Sequence, residues 1–400
     1  MRCHRLVLLL LAALSALALP ARPQSPLPYA QRLDVPALTA LGRAIFFDAE
    51  LSPSGAVSCA SCHDPRHAYG PPDADALKLG IRAAPSLRYL NTLPAFTEHH
   101  FDNDGDDSLD MGPTGGHTWD GRAASPREQA RLPMLSADEM GGPDVAAVVA
   151  RMRIAPYAAQ MRALFGADVF ERNSEAAFDA ALLALEIFQQ SPNDFYPFTS
   201  RYDEVLRGRA TLTAQETRGL ALFNDPAKGN CASCHLSEIK SDGALPLFTD
   251  FGHIAIGVPR NPQIKANADP AFFDLGLCGP LRTDFANQAD YCGRFRTPSL
   301  RNVALRQSFF HNGAMHTLED AVRFYAQRDT DPARWYGASG AFNDLPARYR
   351  ANLNTEAPFG GARGGTPSLT EAEIADVVAF LKTLTDADQA VADQVPADQK

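Results

Sequence analysis

The chain has 400 residues, of which 45% are hydrophobic and 21% are charged, a composition typical of a globular protein with room for two domains. Its formal net charge is −10, and it contains no run of lysine or arginine. These values exclude nucleic acid and anionic membrane surfaces as partners.

The N-terminus has the pattern of a secretory signal. Arg2 and Arg5 precede an apolar run at residues 6–19, which is too short to span a bilayer comfortably, and small residues follow it. The pattern predicts a signal peptide over residues 1–21 that is cleaved on export to the periplasm, with an uncleaved membrane anchor as the alternative. No later segment is apolar enough to cross a membrane, so we expect no membrane contact after cleavage.

Helix signals recur along the rest of the chain, whereas the alternation of polar and apolar residues that is typical of strands is scarce. Predicted helices begin after Asp34, at a capping box of Thr213 with Glu216, and at a second capping box of Thr370 with Glu373. The sequence therefore predicts an all-α protein, mainly helical with long loops.

An internal repeat divides the chain into two related parts. The pentapeptide CASCH occurs at residues 59–63 and again at 231–235. Each copy is followed by the tetrapeptide PSLR, at residues 85–88 and 298–301. Two copies of one folding unit in tandem would produce this order.

The boundary between the two parts is predicted at a polar stretch broken by prolines, residues 192–208. We call residues 24–200 the first half and residues 201–386 the second half. The segment at 387–400 is rich in Asp, Gln and Ala and is predicted to be a frayed tail.

Each CASCH segment has the spacing of a covalent haem attachment site. Two thiols separated by two residues can each bond one vinyl group of a haem, and the adjacent imidazole then reaches the iron. A zinc site and a redox dithiol are the alternatives, but a histidine directly after the second cysteine, twice, favours haem. The motif predicts two tandem cytochrome c-like domains with two covalently bound c-type haems. Their ligands are Cys59, Cys62 and His63 in the first half and Cys231, Cys234 and His235 in the second.

Two further cysteines remain once the signal peptide is removed. Cys278 and Cys292 are separated by thirteen residues and would lie in an oxidising compartment after export. Our hypothesis is that they form a disulfide.

Further short motifs lie in a fixed order around the two CASCH segments. They are LGRAIFFD at 41–48, WDGR at 119–122, EQA at 128–130, EMG at 139–141, FRTPSLRN at 295–302, HNG at 311–313 and TLE at 317–319. As an ordered series they resemble the bacterial di-haem cytochrome c peroxidase and MauG superfamily over residues 41–384. The resemblance implies a di-haem oxidoreductase that reacts with hydrogen peroxide.

The resemblance also implies roles for three side chains. Trp119 would lie between the haems and relay electrons, and Gln129 and Glu139 would lie on the open face of the first haem. A carboxyl group at that place can move a proton from the inner to the outer oxygen of peroxide. A tryptophan in the core and a solvated helix glutamate are the alternative interpretations.

The residue expected to ligate the iron of the second haem distinguishes the branches of this family. In the peroxidases a methionine ligates this iron, fourteen residues after the histidine of the HxG motif. Counted from His311, that position is Tyr325, and MauG-like enzymes use a tyrosine there. Phenolate oxygen stabilises oxidised iron, whereas a thioether favours reduced iron. Met315 is the competing ligand and lies out of register, while a packed helix aromatic is the alternative interpretation of Tyr325.

The first haem is expected to have an open face. Many di-haem peroxidases cap it with a histidine in the loop after CxxCH, but the position sixteen residues after His63 is Leu79. His99 or His100 remains a candidate cap.

The sequence leaves calcium open. The family often holds one calcium ion between its domains, but Ala83 and Ala84 replace its asparagine. The acidic run at residues 102–107 resembles the start of a calcium loop, although Pro113 stands where an EF-hand needs glutamate.

Three functions follow from these features. The favoured one is MauG-like oxidation of a protein or other external substrate, driven by hydrogen peroxide. The alternative is a cytochrome c peroxidase that takes electrons from a small redox protein. A non-catalytic electron carrier is the third, and it requires strong ligands on both faces of both irons.

Overall fold

The computed structural model describes residues 34–73, 80–101, 110–337 and 340–392. Helices dominate this part of the chain, which confirms the predicted all-α class, and long loops connect them. The helices are α1 (Val35–Phe46), α2 (Pro126–Leu135), α3 (Val145–Ile154), α4 (Ala158–Phe165), α5 (Val169–Arg172), α6 (Ser174–Gln189), α7 (Pro192–Phe195), α8 (Arg201–Leu206), α9 (Ala214–Asn224), α10 (Leu318–Gln327), α11 (Pro332–Tyr336), α12 (Glu371–Lys382) and α13 (Ala387–Ala392).

Two short strands complete the regular structure of the described residues. β1 (His253–Ile254) pairs in antiparallel fashion with β2 (Phe295–Arg296). His253 lies opposite Arg296, and Ile254 lies opposite Phe295. The pair joins the loop after the second CASCH segment to the FRTPSLRN segment.

In the first half, α1 packs against α6. Its buried face consists of Leu38, Leu41 and Ile45, which recur at helical spacing. Gly42 lets the two backbones approach closely, because a Cβ atom at this position would lie 2.0 Å from the carbonyl oxygen of Ala184.

The second half repeats this arrangement with α9 and α12. Both helices begin at the capping boxes predicted from the sequence, Thr213 with Glu216 and Thr370 with Glu373. A Cβ atom at Gly219 would lie 2.0 Å from the carbonyl oxygen of Asp376, the same clearance as at Gly42. The repeat seen in the sequence thus extends to the packing of one helix pair in each half.

Buried ion pairs connect the first half to the second. The Arg82 guanidinium lies 2.7 Å from Asp120 and 2.6 Å from Asp274, and all three side chains are almost fully buried. Arg88 of the first PSLR segment bonds to Asp386 at 2.9 Å. From Val35 onward the chain accordingly forms one unit.

The segment predicted to be a frayed tail begins with a helix, so that part of the prediction is wrong. α13 covers Ala387–Ala392, and Asp388 on it bonds to Arg88 at 2.6 Å. The side chain of Gln389 accepts a hydrogen bond from the backbone N–H of Ala68 at 3.0 Å. Specific polar contacts, which composition does not reveal, hold this segment against the first half.

Among the helices of the described ranges, none has the length and apolar character needed to cross a bilayer. The predicted signal peptide at residues 1–21 lies outside those ranges.

Candidate functional site

The first CASCH segment presents its histidine in a form suited to binding iron. Cys59–Ser61 form a 3₁₀ turn, and the Nδ1 atom of His63 is hydrogen bonded to the carbonyl oxygen of Tyr69 at 3.1 Å. Burial lowers the pKa of His63 to about 4, so the imidazole is neutral at pH 7. This contact makes Nδ1 the protonated nitrogen and leaves Nε2 as the metal-binding atom.

The second CASCH segment has the same geometry. Cys231–Ser233 form a 3₁₀ turn, and Nδ1 of His235 is hydrogen bonded to the carbonyl oxygen of Phe248 at 2.8 Å. Burial again lowers the histidine pKa to about 4. Equivalent backbone carbonyls therefore orient both imidazoles.

The four cysteines of the two segments are free thiols rather than two disulfides. Burial raises the pKa of Cys59 and of Cys231 to about 12, so neither ionises near neutral pH. A zinc site needs several such donors around one ion, and within the described ranges no group of three or more His, Cys, Asp or Glu side chains is placed to hold one. The donor set fits thioether attachment of a haem better than a metal ion.

A large cavity adjoins the second segment. Its empty volume is about 2060 Å³, open solvent at its mouth included. Cys231, Cys234 and His235 line it together with Tyr325 and Phe359. The cavity therefore combines a pair of thiols, one imidazole and one phenol.

Tyr325 lies on α10, and its ring stacks on Phe359 with centroids 5.3 Å apart. Burial raises the pKa of Tyr325 above its ordinary value, and Cys234 and Cys231 are close enough to add to the rise. Among the described residues, no hydrogen-bond partner is found for its hydroxyl. A phenol oxygen at the cavity with no competing bond can serve as an axial ligand.

Met315 occupies a different environment. Its side chain is 6% exposed and belongs to the hydrophobic core of the second half, with Phe324 and Phe380. It is not among the residues that line the cavity, and no other methionine lines it.

Four residues of the cavity lining carry a buried polar atom that lacks a hydrogen-bond partner in the part of the chain that the structure describes. These atoms are Nδ1 of His67, Nη1 of Arg296, Oγ1 of Thr297 and Nε2 of His311. Burial lowers the pKa of Arg296 to about 10, because no carboxylate offsets its desolvation. A haem brings two carboxylates into such a cavity, so the residues present fit the prosthetic group.

Trp119 connects the cavity to the first half. Its indole is 7% exposed, and Nε1 donates a hydrogen bond to the carbonyl oxygen of Ala83 at 2.7 Å. The same side chain lines the cavity next to His235. Its backbone carbonyl accepts a hydrogen bond from Arg296 N at 2.8 Å. Trp119 is thus buried where the loops that follow the first CASCH segment meet the cavity at the second CASCH segment.

Glu139 lies in the turn after α2, where its backbone N–H bonds to the carbonyl of Ser136 at 3.1 Å. The residue is exposed at the surface, yet the surrounding protein partly desolvates the carboxyl and raises its pKa above the ordinary value. Its charge helps to raise the pKa of Cys62, which places it near the first haem motif. Gln129 is half-buried on α2 itself.

Comparison with known proteins identifies relatives of the chain. The family model described as di-haem cytochrome c peroxidase matches residues 36–211. The methylamine utilization protein MauG of Paracoccus denitrificans (strain Pd 1222) is 34% identical over 374 residues, covering 88% of this chain and 89% of that protein.

The chain belongs to the di-haem cytochrome c peroxidase and MauG family. The crystal structure of the diheme peroxidase BthA from Burkholderia thailandensis E264 is 41% identical, with a TM-score of 0.80, covering 88% of this chain and 86% of that one. The cytochrome c peroxidase Ccp of Escherichia coli (strain K12) is 28% identical over 75% of this chain and 55% of that protein. Members hold two haems, and the chain is a di-haem peroxidase or oxidase.

The two histidines considered as caps of the first haem, His99 and His100, both contact Asp110 in the structure. The Nδ1 atom of His99 lies 2.5 Å from Asp110, and the His99 side chain is 67% exposed. The backbone N–H of His100 bonds to the same carboxylate. Leu79, the residue at the usual cap position, lies outside the described ranges.

Calcium has no assigned place in the structure. The acidic run at 102–107 lies outside the described residues. Within the described ranges, no cluster of three or more His, Cys, Asp or Glu side chains forms a metal site.

Cys278 and Cys292 are joined by a disulfide in the structure. The bridge closes a loop of the second half, whose Gly276 pairs with Cys292. The four cysteines of the CASCH segments take no part in this disulfide and are free thiols.

Sequence reasoning missed the acceptors of the two proximal histidines and the charged lining of the cavity. Tyr69 follows His63 by six residues, whereas Phe248 follows His235 by thirteen, so no common spacing marks them. Arg296 stands within the FRTPSLRN motif, and its burial, not its identity, makes it important.

Proposed function

We propose that the protein is a periplasmic MauG-like oxidase with two covalently attached c-type haems. Hydrogen peroxide reacts at the first site, and oxidising equivalents pass by Trp119 and the second site to a protein or other external substrate. The irons supply the redox chemistry when the haems are bound. One observation carries the proposal. Among the described residues, the cavity at the second CASCH segment is lined by a tyrosine, Tyr325, and by no methionine.

The ligand choice determines what the second site does. Tyr325 provides an anionic oxygen once its proton is displaced by iron, and phenolate stabilises the oxidised metal. A site that holds positive charge suits an enzyme that stores oxidising power. A cytochrome c peroxidase needs a site that accepts electrons readily, which a thioether would favour.

Glu139 has the properties of a proton shuttle at the first site. Its raised pKa increases the fraction of protonated carboxyl near neutral pH, so the group can both accept and return a proton. Because the residue is exposed, a small molecule such as peroxide can reach it. Gln129, an amide on the neighbouring helix, offers hydrogen bonds that hold a polar reactant there.

Trp119 suits electron relay because it is buried and fixed. Its indole N–H is bonded to a backbone carbonyl, which holds the ring in one orientation. The same burial excludes water from the route between the two halves. Oxidation of an external substrate then needs no pocket for that substrate near the first site.

The curated relatives agree with this branch without deciding it. MauG of Paracoccus denitrificans is 34% identical, while the Escherichia coli cytochrome c peroxidase is 28% identical. Calcium has no role in the proposal, since its candidate loop lies outside the described residues.

The test compares resting-state spectra of the haem-loaded protein and of Tyr325→Phe. We expect the variant to lose the spectral signature of tyrosinate at one haem, while peroxide still reacts at the other. Tyr336→Phe is the matched control, because Tyr336 is buried in the same half but donates its hydroxyl to the carbonyl of Gly257.

Three results would count against the proposal. An unchanged spectrum in Tyr325→Phe would exclude this residue as a ligand. A methionine signature in the unmodified protein would favour the cytochrome c peroxidase. The absence of added porphyrin mass on the chain, in a host that attaches haem, would exclude covalent attachment.

A further inference from the structure

A buried tyrosine lies directly behind the first proximal histidine. Tyr69 is 2% exposed, and its carbonyl oxygen is the acceptor for Nδ1 of His63. Its ring packs on Phe195 with centroids 4.3 Å apart and on Phe46 at 5.7 Å. The phenol is therefore fixed in position, with its backbone one hydrogen bond from the iron-binding imidazole.

The hydroxyl of Tyr69 points toward a carboxylate that reaches the surface. It donates to Oδ1 of Asp194 at 2.9 Å. Asp194 also accepts hydrogen bonds from Ser191 Oγ at 3.0 Å and from Arg43 Nη1 at 3.2 Å. The Arg43 side chain is 54% exposed, so this chain of contacts runs from the first site to solvent.

The second half offers an internal comparison. The carbonyl that orients His235 belongs to Phe248, which has no hydroxyl. The tyrosine packed against Phe248 is Tyr202, and its hydroxyl donates to the carbonyl oxygen of Ser237 at 3.3 Å. A backbone carbonyl is too weak a base to take the proton of an oxidised phenol, whereas a carboxylate can accept it. The pairing of a phenol with a proton acceptor is thus found behind the first histidine and not behind the second.

Phenol oxidation is coupled to its proton. A buried phenol that lost an electron but kept its proton would carry an unpaired positive charge, which costs several kcal/mol in such surroundings. A base at hydrogen-bond distance removes this cost, because the proton leaves with the electron. Asp194 is such a base.

We propose that Tyr69 and Asp194 form a redox relay that carries oxidising equivalents from the first haem site to the protein surface. One electron moves from Tyr69 to the peroxide-oxidised site, and the phenolic proton moves to Oδ1 of Asp194, which leaves a neutral tyrosyl radical. A small one-electron reductant in solution, such as ascorbate or a free phenol, then gives one electron to the radical near Arg43 and is itself oxidised by one electron, while the proton returns from Asp194 to the phenol oxygen. This second exit rests on the proposed function, because peroxide supplies the oxidant.

The relay uses other residues than Trp119 and serves a different purpose. Trp119 lines the cavity at the second CASCH segment, whereas the contacts of Tyr69 lead through Asp194 to Arg43. When no substrate is present at the second site, the relay transfers oxidising equivalents from the first site to small reductants in solution. The residues that would otherwise be oxidised near the first haem are protected.

The test uses the full haem-loaded chain and electron paramagnetic resonance after one equivalent of peroxide. We expect a tyrosyl signal that is lost in Tyr69→Phe. Asp194→Asn keeps a hydrogen-bond acceptor but no base, and we expect its signal to form more slowly, with a larger solvent deuterium effect. Phe248 shows that phenylalanine suits this backbone position, so Tyr69→Phe should fold, as thermal unfolding would verify.

Two other tyrosines serve as controls. Tyr202→Phe removes a buried phenol whose partner is a carbonyl, and its signal should match that of the unmodified protein. Tyr157 is the competing site, because it bonds to the Asp48 carboxylate at 2.7 Å. A tyrosyl signal that survives in Tyr69→Phe, or one that disappears only in Tyr157→Phe, would overturn the proposal.

A second oxidant separates this proposal from the proposed function. Flash oxidation with a ruthenium polypyridyl complex and an external quencher oxidises the haem protein without peroxide. A Tyr69 signal under flash oxidation, with no haem change on adding peroxide, would support the relay and reject the peroxidase function. Haem oxidation by both routes with no tyrosyl signal would reject the relay alone.

Discussion

Glu139 shows how one side chain can be both reachable and poised for proton transfer. The raised pKa of its carboxyl comes from burial of the charged form, which the charge of Arg122 partly offsets. The balance matters, because a carboxylate that never bound a proton could not return one to the departing oxygen of peroxide.

Glu139→Gln should slow the reaction of peroxide with the first haem by about 100-fold or more, because an amide keeps the shape but cannot shuttle a proton. Stopped-flow spectra of the haem bands would measure this rate. Asp138→Asn is the matched control, since it removes an adjacent exposed carboxylate, and its rate should stay close to that of the unmodified protein. Equal rates in both variants would remove Glu139 from the mechanism.

Chemistry that depends on residue identity was predictable at this scale, and chemistry that depends on surroundings was not. The two CASCH segments carry their spacing in the sequence, so the prediction of Cys59, Cys62 and His63 as a haem attachment site rests on the sequence alone. Tyr325 required a register borrowed from relatives, and the structure adds that it lines the cavity whereas Met315 does not. The pairing of Tyr69 with Asp194 joins residues 125 positions apart, a separation that no local pattern reveals.

The helix pairs of the two halves depend on one glycine each. Gly42 allows α1 to approach α6, and Gly219 allows α9 to approach α12, so the added methyl group of an alanine would have to push the backbones apart. These contacts position the 3₁₀ turns that carry the cysteines, because α1 and α9 lead into them.

Gly219→Ala should lower the free energy of unfolding by about 3 kcal/mol, the cost of overpacking a closely fitted contact. Denaturant unfolding followed by far-ultraviolet circular dichroism would measure the change. Gly80→Ala is the control, because no atom of the described residues lies within 4 Å of the Cβ atom it would add, and its stability should be nearly unchanged. If the two variants were equally stable, close approach of α9 and α12 would not explain this glycine.

Helix prediction succeeded where the ends carry capping residues. The capping boxes of Thr213 and Thr370 begin α9 and α12 as expected. The helix α13 could not be predicted, because its few residues have no apolar stripe and tertiary contacts hold it. Short helices such as α5 and α7, of four residues each, leave too little periodicity to detect.

At the scale of the whole molecule, one buried arginine connects the two halves, because Arg82 pairs both with Asp120 of the first half and with Asp274 of the second. The acid sensitivity of this cluster depends on its carboxylates. Burial alone would raise the pKa of Asp120, but Arg82 and Arg122 hold it at about 2, below its ordinary value of 3.8. A carboxylate with a lowered pKa stabilises the folded state above its unfolded pKa. That stabilisation disappears as the pH falls through the folded pKa.

The protein should therefore lose stability between about pH 4 and pH 2, and Asp120 should account for about 2 kcal/mol of the loss. Urea unfolding at several pH values would measure it. Asp120→Asn has no charge to lose, so its stability should fall by a smaller amount over the same interval. Parallel pH profiles for the two proteins would show that this ion pair contributes nothing to acid sensitivity.

The docking of α13 has a consequence for assembly. Synthesis starts at the N-terminus, yet Asp388 and Gln389 bond to Arg88 and Ala68, which lie about 300 residues earlier. The loop that follows the first CASCH segment can gain these contacts only after α13 has been synthesised. Packing of this loop is therefore coupled to the arrival of α13, and it is a late step of folding.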